Sequence, residues 1–171
     1  FSWRPCSSAW HFLKSPSAQA RVDVWECEVT PFNAVPLSET LSVTGQISPD
    51  DLQAIAAAGF KSLVCNRPDA ESPGQFSSQD IATAAHAAGL KLAYLPVVSG
   101  SVRAQDGRDF GDLLTQLPGP VLAYCRSGTR SALLWALSQV GSKPWPDLVQ
   151  RAAQAGFNLT RLVPPVPPSK S

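Results

Sequence analysis

The sequence predicts an α/β domain: one mainly parallel sheet with flanking helices. Three observations predict it. From Leu37 onward, short apolar runs alternate with helical stretches. The helical stretches carry start and stop residues at their ends. The connections are rich in Pro, Gly, Ser and Asp. A chain of 171 residues suffices for one domain with a packed core.

Each element has its own signal. LSVTGQI (41–47) is the first strand. Ser48 caps a helix with Pro49 at its first position, Asp50 and Asp51 in its first turn, and Gly59 at its end. FKSLVC (60–65) is a buried strand, and NRPDAESPGQ is a turn-rich loop. Ser77 or Ser78 caps the helix QDIATAAHAA, which Gly89 closes, with His86 near its negative end. KLAYLPV (91–97) is the third strand, and SGSVRAQDGRD (99–109) reads as a loop. FGDLLTQL is a short helix ended by Pro118-Gly119-Pro120. VLAYC is the fourth strand, and Ser131 opens the helix ALLWALSQVG. Trp145 to Ala155 is the last helix, stopped by Gly156.

Domain organisation follows from the same pattern. Residues 1–35 form an N-terminal extension without a sustained period. Within it RVDVWECEV (21–29) reads either as a strand or as sequence outside the fold. Residues 36–162 form the domain, and 163–171 are a proline-rich tail, extended or disordered. Net charge is +1, which gives no electrostatic case for nucleic acid or membrane partners. No apolar run reaches transmembrane length, and residues 1–32 lack the basic start and clean apolar stretch of a secretory signal. Cysteines stand at 6, 27, 65 and 125 with no Cys-x-x-Cys pair and no histidine beside them, so neither a metal nor a cofactor is expected. A reducing cytoplasm suits a working thiol.

The chemistry concentrates in VLAYCRSGTRS (121–131). Cys125 ends a strand, and Arg126, Ser127, Gly128, Thr129 and Arg130 lead to a helix N-terminus. Such a loop presents N–H groups to an anion, and with two arginines it favours a thiolate. Gly128 permits a backbone conformation closed to other residues. The plainer alternative is an inert cysteine buried at a strand end. In a parallel sheet, however, ligands bind beyond the carboxyl ends of strands, where Cys125 sits.

Cys-Arg-Ser-Gly-Thr-Arg resembles the active loop of rhodanese-type sulfurtransferases and a shortened loop of cysteine-dependent phosphatases. The wider chain resembles the phosphatase-like domain of beta-lactamase hydrolase-like proteins, a bacterial family described as sulfurtransferase/phosphatase. The likeness runs from about residue 36 to 162 through LSVTGQIS, GFKSLVCNRPDAESPGQ, AAGLKLAYLPV and LPGPVLAYCRSGTRSALLWAL. It implies a cysteine-phosphatase-like fold with a rhodanese-type active loop.

The expected activity is sulfur transfer through a persulfide on Cys125, from thiosulfate or a similar donor. Arg130 and Arg126 would hold the anion. Ser127, Gly128 and Thr129 would supply backbone donors, and Ser131 would bond the thiolate. The expected partners are a small anionic sulfur donor, a thiol acceptor and, by the resemblance, a separate persulfide dioxygenase chain.

The alternative is a tyrosine- or dual-specificity-type phosphatase. Those enzymes carry Cys-x5-Arg, commonly with His before the Cys, whereas this loop is Cys-x4-Arg after Tyr124. They also need an acid for the leaving group, for which Asp106 or Asp109 is the candidate, though either reads better as a helix cap. A third class is a non-catalytic anion-binding module. Accessory residues are Asn66, Arg67 and Asp69, read either as the pocket rim or as a turn with Arg67 tied to Asp69 or Glu71. Cys65 is expected beside Cys125 on a neighbouring strand, either as a redox partner or as a small buried apolar side chain.

Overall fold

The computed structural model describes residues 32–160. The candidate strand at 21–29 and the proline-rich tail lie outside the described residues. Five strands form one sheet in the order β1-β2-β5-β3-β4. They are β1 (Val35–Pro36), β2 (Leu41–Thr44), β3 (Ser62–Cys65), β4 (Lys91–Tyr94) and β5 (Val121–Tyr124). All pairings are parallel except β1 with β2, a two-residue edge that the periodicity of the sequence does not reveal. β5 lies between β2 and β3, and Cys65 is in register with Tyr124.

Helices cover both faces. A 3-10 turn (Pro49–Asp51), α1 (Leu52–Ala57) and α2 (Ser78–Ala87) pack on one side, where Leu52, Ile55, Ile81 and Ala85 meet Leu63, Cys65, Leu122 and Tyr124. Phe32 joins this layer and meets Phe60 edge-on, with ring centroids 6.3 Å apart. The other side holds α3 (Ala104–Gln116), α4 (Thr129–Ser138) and α5 (Trp145–Gln154). There Phe110, Leu133, Leu134, Leu148 and Ala152 cover Val43, Val64 and Ala123. α4 runs through the middle of this layer, and every residue from Arg130 to Leu137 is buried. No helix among the described residues is long and apolar enough to cross a membrane.

The strands are shorter than their apolar stretches, ending at Thr44 and Tyr94 rather than Ile47 and Val97, and two further differences bear on the site. Residues 104–109 are not loop: α3 begins at Ala104. Asp106 Oδ2 accepts the Arg103 N–H at 2.7 Å, so it closes the helix start as a capping carboxylate. Gly107 looks like a turn residue but lies where α3 crosses α4; a Cβ there would stand 2.3 Å from Leu137 Cβ. The second difference is that Thr129 and Arg130 belong to the first turn of α4 rather than to the loop.

Candidate active site

The site begins with the end of β5. Tyr124 is the last strand residue, and Cys125 follows it beyond the carboxyl edge of the sheet. The chain then turns through Arg126, Ser127 and Gly128 into α4. Gly128 has φ +86°, and a Cβ there would meet the Phe157 ring at 2.9 Å and Thr44 O at 3.3 Å. Glycine is therefore required twice, by conformation and by space. The turn folds back so that the Gly128 N–H donates to Cys125 Sγ at 3.2 Å.

Cys125, Arg126, Ser127, Thr129 and Arg130 together line a cleft of about 110 Å³, with Ser99, Gly100, Val102 and Leu133 completing its wall. Ligand pockets commonly run to several times that volume; this one suits a small anionic group. A larger cavity of about 510 Å³, between Ser38–Thr40 and α5, lies at the opposite, amino-terminal edge of β2 and contains no cysteine. Arg126 and Ser127 are exposed, Gly128 and Arg130 buried. The Ser127 and Thr129 hydroxyls lie 3.2 Å apart.

Arg130 is held from the neighbouring strand ends. Its Nη1 donates to Asn66 O at 3.1 Å and its Nη2 to Glu71 Oε1 at 2.7 Å. Its Nε–H is buried with no partner among the described residues. Asn66, directly after β3, is fully buried. Its Oδ1 accepts from Ser131 Oγ at 2.8 Å, and its Nδ2 donates to Leu95 O at 3.2 Å. Ser131 thus turns to Asn66 and has no bond to the sulfur.

Arg67 pairs with Glu71 at 2.8 Å, one of the two partners expected for it. Its Nη1 donates to Gln46 Oε1 at 2.8 Å, and its Nη2 to Ser72 Oγ. Burial opposes ionisation of Glu71, but hydrogen bonds and charge from Arg67 and Arg130 outweigh it and hold the carboxyl below the ordinary glutamate value. The sequence reading placed Glu71 only as a partner of Arg67 and not beside Arg130. Its spacing of four from Arg67 was the available signal.

The remaining accessory candidates lie elsewhere. Asp69 accepts from Ser78 N and Oγ at 2.6 and 2.7 Å, tying it to the start of α2. Asp106 is spent on Arg103 and borders a separate cavity beside Pro96–Val98. Asp109 accepts from Gln105 Nε2 at 2.6 Å on exposed α3. Cys65 and Cys125 are both free thiols. Cys65 packs in the α1–α2 layer and donates to Arg67 O at 3.3 Å. Burial pushes its thiol up, more than its hydrogen bonds with Tyr124 and Arg67 O bring it down. Cys125 opens instead to a cleft with Val102 and Leu133 of the α3–α4 layer. No cluster of His, Cys, Asp or Glu among the described residues is arranged to hold a metal.

The chain resembles known proteins over this whole region. The family profile "Beta-lactamase hydrolase-like protein, phosphatase-like domain" matches residues 34–142. A beta-lactamase hydrolase-like protein of Agrobacterium fabrum is 37% identical over 128 residues, covering 74% of this chain and 30% of the relative. The chain therefore spans about 30% of the length of that curated relative. A solved Neisseria meningitidis protein, described as a candidate phosphatase, is 35% identical with a TM-score of 0.69, covering 74% of this chain and 91% of its own. A kinase-associated phosphatase, solved with its catalytic-site cysteine replaced by serine, shares the fold. It has 13% identity and a TM-score of 0.59, over 76% of this chain and 87% of its own.

These likenesses correct the expectation of a rhodanese-like sulfurtransferase: the family profile and the solved neighbours point to a cysteine-based phosphatase. The physical reason lies in the loop. The Cys-x4-Arg spacing argued against a phosphoryl cradle, yet α4 starts two residues early, and its first turn sets Arg130 in the wall of the Cys125 cleft. The strand end, the glycine-turned loop and the matched sequence agree: the chain belongs to the beta-lactamase hydrolase-like protein family, as its phosphatase-like domain.

Proposed function

We propose that this domain hydrolyses phosphate monoesters through a phosphocysteine on Cys125. The observation that carries the reading is one small cleft lined by Cys125, Arg126 and Arg130, with the Gly128 N–H donating to Cys125 Sγ at 3.2 Å. A nucleophile set among donors suits phosphoryl transfer, in which positioning and charge stabilisation supply most of the catalysis. The neighbours' description as phosphatases supports the same reading.

In the first step the thiolate attacks phosphorus. The S–P bond forms and the P–O bond to the leaving group breaks, its electron pair leaving with oxygen, which then takes a proton from water. In the second step water attacks phosphorus and the P–S bond breaks. The thiolate is restored, and phosphate departs with the oxygen of water. Arg130 and the loop N–H groups balance the phosphoryl charge in both steps. A reducing compartment such as the cytoplasm suits this thiol.

The test is steady-state phosphate release from an aryl phosphate by wild type and Cys125→Ser. Turnover by wild type that is lost in the folded serine variant supports the reading. Absence of wild-type turnover, or an active serine variant, overturns it.

A further inference from the structure

We infer that Arg67 and Glu71, on the loop after β3, are positioning residues that fix both ends of the 126–130 segment and so orient Arg130 for phosphoryl transfer; the inference rests on the phosphatase reading of that cleft. The network is continuous. Glu71 takes Arg130 Nη2 on Oε1 at 2.7 Å and Arg67 Nε on Oε2 at 2.8 Å. Arg67 passes on to Gln46 Oε1 at 2.8 Å, and the Gln46 backbone N–H donates to Arg126 O at 3.3 Å. One chain of hydrogen bonds thus starts at Arg126, the first residue after the cysteine, and returns at Arg130. Gly45 packs against the same segment, where a Cβ would stand 3.4 Å from Arg126 O.

The chemistry explains why a carboxylate and a guanidinium are needed. Arg67 is 5% exposed and uses all three nitrogens on separate acceptors. A lysine offers one compact charge and cannot span them. With Asn66 O, Glu71 occupies the two terminal nitrogens of Arg130 and leaves Nε–H over. A buried N–H without an acceptor is costly, and Arg130 is one of the residues lining the Cys125 cleft. One carboxylate between two guanidinium groups also leaves one net positive charge for the incoming phosphate.

Glu71→Gln separates orientation from charge. The amide keeps the size but turns an NH2 toward one of the two guanidinium groups. Loss of the negative charge favours ground-state anion binding and offsets the loss of orientation in KM. The same charge change acts on the transition state, so a fall in kcat reports lost orientation of Arg130 rather than lost charge.

The experiment measures kcat, KM and thermal stability for wild type, Glu71→Gln and Gln46→Ala with an aryl phosphate. Gln46→Ala is a second variant at an exposed position, should Glu71→Gln fold poorly. The expected result is a folded Glu71→Gln protein with kcat lowered about 10- to 100-fold and KM within about threefold. Gln46→Ala should show a smaller loss of the same kind. Wild-type turnover with kcat unchanged in both variants overturns this inference alone. So does a loss that follows only the folded fraction. Absence of wild-type turnover overturns the phosphatase reading, and this inference with it.

Discussion

Gly128→Ala tests the loop on which the site depends. At φ +86° an L-residue strains its backbone by about 1–2 kcal/mol. The new methyl also meets the Phe157 ring edge at 2.9 and 3.1 Å and Thr44 O at 3.3 Å. Phe157 is 8% exposed, so its ring has little room to retreat. Overpacking of this kind costs about 1–3 kcal/mol. The sum is a destabilisation of roughly 2–5 kcal/mol, measured as the shift in urea midpoint at constant slope. The two causes separate in a cycle with Phe157→Leu, which clears the ring but not the backbone strain. A coupling of about 1 kcal/mol or more between the substitutions is expected. A Gly128→Ala protein within about 0.5 kcal/mol of wild type would refute the loop conformation and the contact with Cys125 built on it.

Other outcomes follow from the same structure. Gly107→Ala gains about 1 kcal/mol of helix propensity, but its Cβ would stand 2.3 Å from Leu137 Cβ, so net destabilisation is expected by urea unfolding. Gly111→Ala, 3.1 Å from Ser138 Cβ, should lie nearer neutral; the reverse order would mean that α3 and α4 cross differently. Among the described residues lining the cleft none is a carboxyl. kcat/KM should therefore favour a nitrophenyl phosphate over an alkyl phosphate by about 100-fold or more, and equal values would place an acid at the cleft. The lowered native value of Glu71 stabilises the fold above the ordinary glutamate value, near pH 4.3. That stability is lost as pH falls through the lower native value, so Glu71→Gln should flatten the acid limb of a stability–pH curve. An unchanged limb would remove the Glu71 pairs.

Much of this was legible in the chain because local and long-range signals agreed. β2, β3, β4 and β5 fall within the short, largely apolar stretches read as strands, and of the two cap candidates it is Ser77 that closes a capping box with Asp80. The cysteine loop was legible for the same reason: a strand end, a glycine and a helix start stand in consecutive positions. The start of α3 was not, because Gly107 is a turn signal locally and a helix-contact residue only once α4 is in place. Glu71 was legible only as a partner of Arg67; its tie to Arg130, 59 positions away, is made by the fold. The activity was misread from the same kind of local count. The count between Cys125 and Arg130 does not decide the activity, since Arg130, in the first turn of α4, lines the Cys125 cleft.

Acid-quench trapping tests the central claim most directly. Wild type is mixed with an aryl phosphate, quenched during turnover, digested and analysed by mass spectrometry. One phosphoryl group on the peptide carrying Cys125, absent from Cys125→Ser, is the predicted result. Turnover with no adduct, or with the adduct on another residue, contradicts the account.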